Sequence, residues 1–504
     1  MPKRRWWRRW VCLPLLVFML GVALYAFWWH AANRRLERQL ELARRDAPPL
    51  TLAEMLKSPT LADRDATVLY QQALAELPSG RLELNPKLGR PLVDSGSEQG
   101  QRLLRLDSLL DPMLNNADFR RQHADDCRDL LRESAKSLEL ARKAWTTGRL
   151  MLPADAEAPG IEQQLPVFGS YRSLAKTHCL AALAAHEAGD DDAAVAHLED
   201  AFALADVMRY AHPHLRSHLA AIAMGSYASL AIEEVSPSLK VGGAAGAAKP
   251  AAVRALLNRL LDERPWRDGL CRGLATERWI LHDSYQRIRD GRMSFSQFVA
   301  AVTERPVHPT WIDPALRLVP PMVTMDEARS LEHMNPLVLA ARETTLPTAR
   351  AKVRPYIRPS SSVMRWSQFL TQVMTPTLER VHDLHFAVLA QRRMAAITLA
   401  LRLHELDTGR RAIKLDELAG KYLPALPPDP LSASGAGFGY LPQGKPSVLY
   451  SVGDNGVDDG GSYIQYPTFV FTVNPSPDEP FFLDGRRPRP MPSWLDPTTQ
   501  PWRR

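Results

Sequence analysis

The densest set of hard oxygen donors in the chain lies near its C-terminus, where Asp454, Asn455, Asp458 and Asp459 crowd into one short run. Calcium takes about six to eight oxygens at flexible geometry, so these side chains, with backbone carbonyls and water, have the chemistry to hold it. The Asn455-Gly456 pair also suits a polar hairpin turn, which would give the same residues a structural use. Histidines form two further groups. His212, His214 and His218, preceded by Asp206, have an H-x-H-x3-H spacing at which imidazoles can ligate zinc. Pro213 interrupts any shared helical face there, and the alternative is a polar helix start. His382 and His385, with Asp383 between them, fall on one face of a helix, with no recognisable nucleophile or third ligand. Asp190, Asp191 and Asp192 stand where a helix begins, which the positive end of its dipole favours without any cation.

The elements that must position these residues are mainly α. From Leu36 to about Leu406 apolar residues recur at three- and four-residue spacing, and strand patterns are nearly absent. Pro and Gly clusters divide this stretch into a helical region 36–241, a flexible linker or loop 242–250 around Gly242-Gly243-Ala244-Ala245-Gly246, and a second helical region 251–376. Within Leu174 to Tyr210, Gly189-Asp190 separates two helices, and Ala194, Leu198 and Ala201 follow at regular offsets. This hairpin resembles one tetratricopeptide repeat, which implies protein binding. An ordinary αα-hairpin accounts for the same residues.

Before all of this lies a segment, 10–29, that fits a transmembrane helix. No formal charge occurs between Arg9 and Arg34, and about 20 apolar residues cover a hydrocarbon core of roughly 30 Å. Trp6, Trp7 and Trp10 mark one interface and Trp28 and Trp29 the other. The basic tail 1–9, with Lys3, Arg4, Arg5, Arg8 and Arg9, is expected in the cytoplasm, although Arg34, Arg35 and Arg38 follow the span. A single-pass protein of a bacterial inner membrane, with its bulk in the periplasm, is the expectation. A cleaved signal is the rival reading, against which stand the length of the apolar run and the lack of a small-x-small site.

Composition excludes some classes. With 45% hydrophobic and 24% charged residues, the chain has the balance of one that buries real cores. Five of its formal +7 charges precede the apolar segment, so nucleic acid is not an expected partner. Of four cysteines, Cys12 lies in the span, leaving Cys127, Cys179 and Cys271 for at most one bridge.

After Leu406 the helical period gives way to strand-like runs at Phe438 to Leu441, Val448 to Val452 and Tyr463 to Val473. A helix ending in Leu406-Asp407-Thr408-Gly409 leads to Leu426-Pro427-Pro428-Asp429-Pro430 and then to Tyr450-Ser451-Val452-Gly453-Asp454-Asn455-Gly456. That order resembles the globular end of the type II secretion major pseudopilins, over roughly 393–463. The resemblance implies a small α+β module, here 377–484, followed by a Pro-rich tail 485–504. It also implies a calcium loop in which the Val452 carbonyl and Asn455 carry over and Asp458 and Asp459 stand in for a pair of acids. The chain departs from the family by the long helical region between span and module, by lacking the leader peptidase site, and by Arg411-Ala412 replacing a Tyr-Pro. The expected function is a membrane-anchored, non-cytoplasmic scaffold with a calcium-binding terminal module, associated with secretion or the envelope. The alternative is a hydrolase or metalloenzyme centred on the His212 group or the His382 face.

Overall fold

The computed structural model describes residues 4–46, 59–82, 84–85, 90–152, 168–303, 319–353, 378, 380–453, 455–462 and 478–485. The chain is mainly helical. Its first helix, α1 (Arg4–Asp46), is 43 residues long and runs on well past the apolar segment. From Leu13 to Trp29 its large apolar side chains are exposed; Phe27 is 73% accessible. This helix is long and apolar enough to cross a membrane.

The residues after Trp29 explain why the helix does not stop there. Ala32, Leu36, Leu40 and Ala43 recur at helical spacing and are buried, the last three against Trp279, Ala328 and Leu331. These belong to α11 and α13 in the succession α2 (Leu61–Glu76), α3 (Pro78–Leu82), α4 (Glu98–Asn115), α5 (Ala117–Gln122), α6 (Ala124–Thr147), α7 (Phe168–Glu187), α8 (Asp191–Ala211), α9 (Leu215–Val235), α10 (Pro250–Leu261), α11 (Arg264–Arg289), α12 (Phe295–Thr303), α13 (Pro320–Ala340), α14 (Leu346–Lys352) and α15 (Val381–Thr408). Polar contacts seal the junction. Arg35 pairs with Glu332 at 2.6 Å, and buried Arg278 donates to the Ala43 carbonyl at 3.0 Å.

The main core lies among α7, α8, α9, α10 and α15. Gly189, at φ 84°, ends α7, and the Asp190 side chain accepts from Ala193 N at 3.0 Å to cap α8. Ala194, Leu198 and Ala201 are buried in the resulting hairpin. Its neighbours are satisfied locally too: Asp192 pairs with Lys249, and Asp191 takes His186 and Lys240 N. The glycine-rich stretch 242–250 is a loop pinned to the start of α8 by Asp191 N donating to the Gly246 carbonyl at 2.6 Å. Core residues Val235, Leu239, Val253 and Leu256 stand on both sides of it in one cluster.

At the C-terminal end β3 (Gly439–Leu441), β4 (Val448–Ser451) and β5 (Glu479–Phe482) form an antiparallel sheet in the order 3-4-5, with Leu449 opposite Tyr440 and Phe481. These labels follow a two-residue ladder, β1 (Leu84–Asn85) with β2 (Arg90–Pro91). The expected run Tyr463 to Val473 lies outside the described residues, and β5 comes after it. Leu449, Val452, Phe481 and Leu483 share the main core with α15. Cys127, Cys179 and Cys271 are all free thiols.

Candidate functional site

The terminal loop is held at its root by a buried carboxylate. Asp429 accepts from Ser451 Oγ and Val452 N, each at 2.8 Å, and from Leu431 N at 2.9 Å. Burial pushes its carboxyl pKa up, against the pull of those donors. The Pro-Asp-Pro segment is thereby tied to the end of β4, and Val452 and Gly453 lead into the loop from a fixed point.

Beyond that point the polar side chains turn toward one another. Asn455 Nδ2 donates to Asp459 Oδ2 at 2.8 Å, while its Oδ1 accepts from Val457 N at 3.0 Å. Asp458 Oδ1 accepts from Tyr450 Oη at 3.0 Å and from Gly460 N at 2.9 Å. Asp478, which no spacing in the sequence marked, joins them by accepting from Gly461 N at 2.7 Å and Asp459 N at 3.3 Å. Burial pushes its carboxyl pKa up against the pull of the Gly461 and Asp459 N–H groups, and the charges of Asp458 and Asp459 push the same way as burial. Asp454 lies outside the described residues. The donor set around Asn455, Asp458, Asp459 and Asp478 is all oxygen, the kind that calcium takes.

The histidine groups are rearranged by the fold. His212 stacks on His214 with ring centres 4.9 Å apart, and His214 Nδ1 lies 3.2 Å from Glu277, which also accepts from Leu215 N at the start of α9. His218 turns away from both. It meets His385 of α15 instead, Nε2 to Nδ1 at 3.2 Å, so one member of each group forms a single buried pair. His382 reaches the Leu337 carbonyl at 3.0 Å and Asp383 pairs with Arg350, so neither shares the contact. Gly269 makes room for the pair, because a Cβ there would stand 3.0 Å from His218 Nδ1.

Beside the pair lies Trp266, fully buried with two guanidinium groups close to its ring. Arg392 stands 4.7 Å and Arg209 5.1 Å from its ring, and its Nε1 donates to Asp206 at 3.1 Å. Asp206, read in the sequence as a companion of the histidines, in fact serves Arg209, Arg259 and Trp266. Burial depresses the imidazoles, His218 to about 3, His212 and His382 to about 4, and His385 well below its usual value. All four rings are therefore neutral at physiological pH. Among the described residues, His218 Nδ1, His385 Nε2 and two nitrogens each of Arg209 and Arg392 are buried without a hydrogen-bond partner. Donors so placed are usually met by internal water. No protein-family model matches the chain, and comparison with curated proteins and with solved structures finds no match.

Proposed function

We propose that this protein is a membrane-anchored helical scaffold that offers its surfaces to protein partners outside the cytoplasm. On this reading it belongs to a bacterial inner membrane, and the α7–α8 hairpin serves as a tetratricopeptide-like contact surface. The pseudopilin-like terminal module takes calcium in the loop of Val452, Asp454, Asn455, Asp458 and Asp459, with Asp478 as an added ligand, in work connected with secretion or the envelope.

The observation that carries the scaffold reading is the continuity of α1. Its exposed apolar half passes without a break into a half buried against α11 and α13. A body joined to its span by a rigid helix is held at a set distance from the bilayer, which suits a scaffold better than a tethered diffusing enzyme.

Two experiments test the proposal. The protein should stay in the membrane pellet after an alkaline wash, and a reporter active only outside the cytoplasm, fused after Arg504, should be active. Release by the wash would remove the anchor, and an inactive fusion would reverse the orientation. For calcium, the detergent-solubilised full chain should melt higher in calcium than in chelator, by about 2.7 kcal/mol at 100 times the dissociation constant. Joint Asp458→Asn and Asp459→Asn substitution should erase the difference; a difference that survives it refutes the loop site.

A further inference from the structure

Away from the terminal loop and the Trp266 cluster, α7 and α8 bring two imidazoles and a carboxylate to one point. His178 Nδ1 and His197 Nδ1 lie 3.3 Å apart, and Asp200 Oδ2 is 3.6 Å from the first and 4.0 Å from the second. Among the described residues this is the one group in which three such ligand atoms approach within 4.8 Å of one another. The point equidistant from the three atoms in their own plane lies about 2.1 Å from each, given sides of 3.3, 3.6 and 4.0 Å. That is close to the zinc–nitrogen and zinc–oxygen distances of about 2.0 to 2.2 Å.

We infer that His178, His197 and Asp200 form a site for a divalent transition metal ion, with zinc as the natural occupant. Two imidazoles and one carboxylate make a borderline donor set that suits zinc and its neighbours and is poorly matched to calcium or magnesium. His178 and Asp200 are buried, whereas His197 is partly exposed and opens one side of the site to solvent. An ion can enter there, and water can complete a fourth position.

The groups around the trio support the assignment and define its competitor. Trp145 Nε1 donates to Asp200 Oδ1 at 2.9 Å and so turns Oδ2 toward the histidines, the role of an outer-shell partner. With both rings in the tautomer protonated at Nε2, the two Nδ1 atoms turn their lone pairs to the same point. Against the ion stands Arg142, whose Nε and Nη2 reach Asp200 Oδ2 at 2.7 and 2.6 Å. These two donors occupy the oxygen that a metal would use. The Arg142 side chain is about half exposed, with 47% of it accessible, so it can swing into solvent when an ion arrives. The site is thus shared between metal and guanidinium, and zinc affinity depends on Arg142.

The test uses the full chain in detergent, stripped with chelator and titrated with cobalt or zinc alone. Cobalt should bind one equivalent with the visible absorption of a low-coordinate nitrogen and oxygen site, and zinc should displace it. His197→Gln, at a partly exposed position, should weaken binding by about a hundredfold without loss of helical signal, and Asp200→Asn should weaken it too. Arg142→Gln should tighten binding by about tenfold, since it removes a competing charge. Asp458→Asn with Asp459→Asn should leave it unchanged, which separates this site from the terminal loop. Absence of binding at a tenfold excess of zinc, or binding indifferent to both His197→Gln and Asp200→Asn, overturns the assignment; so does weaker binding in Arg142→Gln.

Discussion

His218 and His385, 167 residues apart in the chain, meet with Nε2 and Nδ1 3.2 Å apart at the centre of the helical body. Neither outer nitrogen has a partner among the described residues, and the field of Arg209 adds to burial in opposing a proton on either ring.

That arrangement fixes the sign of the response to acid. An unfolded histidine takes up a proton near pH 6.5, whereas His218 and His178 stay neutral to about pH 3 and His212 and His382 to about pH 4. Above pH 6.5 neither state binds these protons and they contribute no slope. Below it the unfolded chain gains protons that the fold excludes, so stability falls as pH drops, by up to about 1.4 kcal/mol per unit for each ring. Denaturant titrations from pH 7 to pH 5 should show this loss. His218→Gln with His385→Gln should reduce the slope by two protons, and an unchanged slope would count against the neutral pair.

Adjacent arginines should respond oppositely to the same change. Arg392 is fully buried, and among the described residues no acid is bonded to it; it rests on Trp266 and Phe202, and burial lowers it to about 10. Arg392→Met should leave stability unchanged or raise it by about 1 kcal/mol, because a buried charge with no directly bonded acid among the described residues is replaced by an apolar chain, at the loss of one hydrogen bond to the Arg259 carbonyl. Arg393 makes a two-point contact with buried Glu263 and donates to the Pro428 carbonyl. Arg393→Met should cost about 3 kcal/mol, since among the described residues Glu263 is left paired with Arg267 alone. Thermal melts of the two variants that move together would refute this account.

Asp429 should act as the fastener of the terminal sheet. Asp429→Ala leaves the Val452 and Leu431 N–H groups without their acceptor, at a cost of about 3 kcal/mol. Hydrogen exchange should quicken in β4 and β5 more than in α7 to α9. Equal quickening everywhere would show that the residue serves the whole core.

The junction of α1 should be equally open to test. Leu36→Glu with Leu40→Glu puts two charges against Trp279 and Leu331 and should cost about 3 kcal/mol or more. Exchange should rise in α13 while the protein remains in the membrane pellet. Unaltered exchange in α13 would mean that the buried half of α1 contributes nothing to the body.

The helical character was legible because a 3.6-residue period is local, and so was the break at Gly189-Asp190, where a left-handed glycine and a capping carboxylate leave a clear mark. β3 and β4 were readable as short strand-like runs where Gly, Pro, Tyr and Val rise and the helical period ends. Asp478 was not, since its place in the loop depends on the chain returning through β5. Nor were the meetings of His218 with His385 or of His178 with His197, which are decided by how helices dock. A lone imidazole on an apolar face carries no sign of its partner. The arginines after Trp29 looked like the boundary of the span. The helix carries on past them: Arg34 and Arg38 are exposed, Arg35 pairs with Glu332, and the side formed by Ala32, Leu36, Leu40 and Ala43 is core.

Because α1 is one continuous rod, about 65 Å long at 1.5 Å per residue, it is also a lever. Once its apolar half is inserted, a thinner or thicker bilayer changes its tilt. The body cannot stay still while this happens, since Arg278, Asn335 and Glu332 grip the other end. A change of about 10° in tilt swings the far end of a rod of that length by about 11 Å. On the proposed anchoring, the membrane's thickness would be converted into the height and orientation of the body.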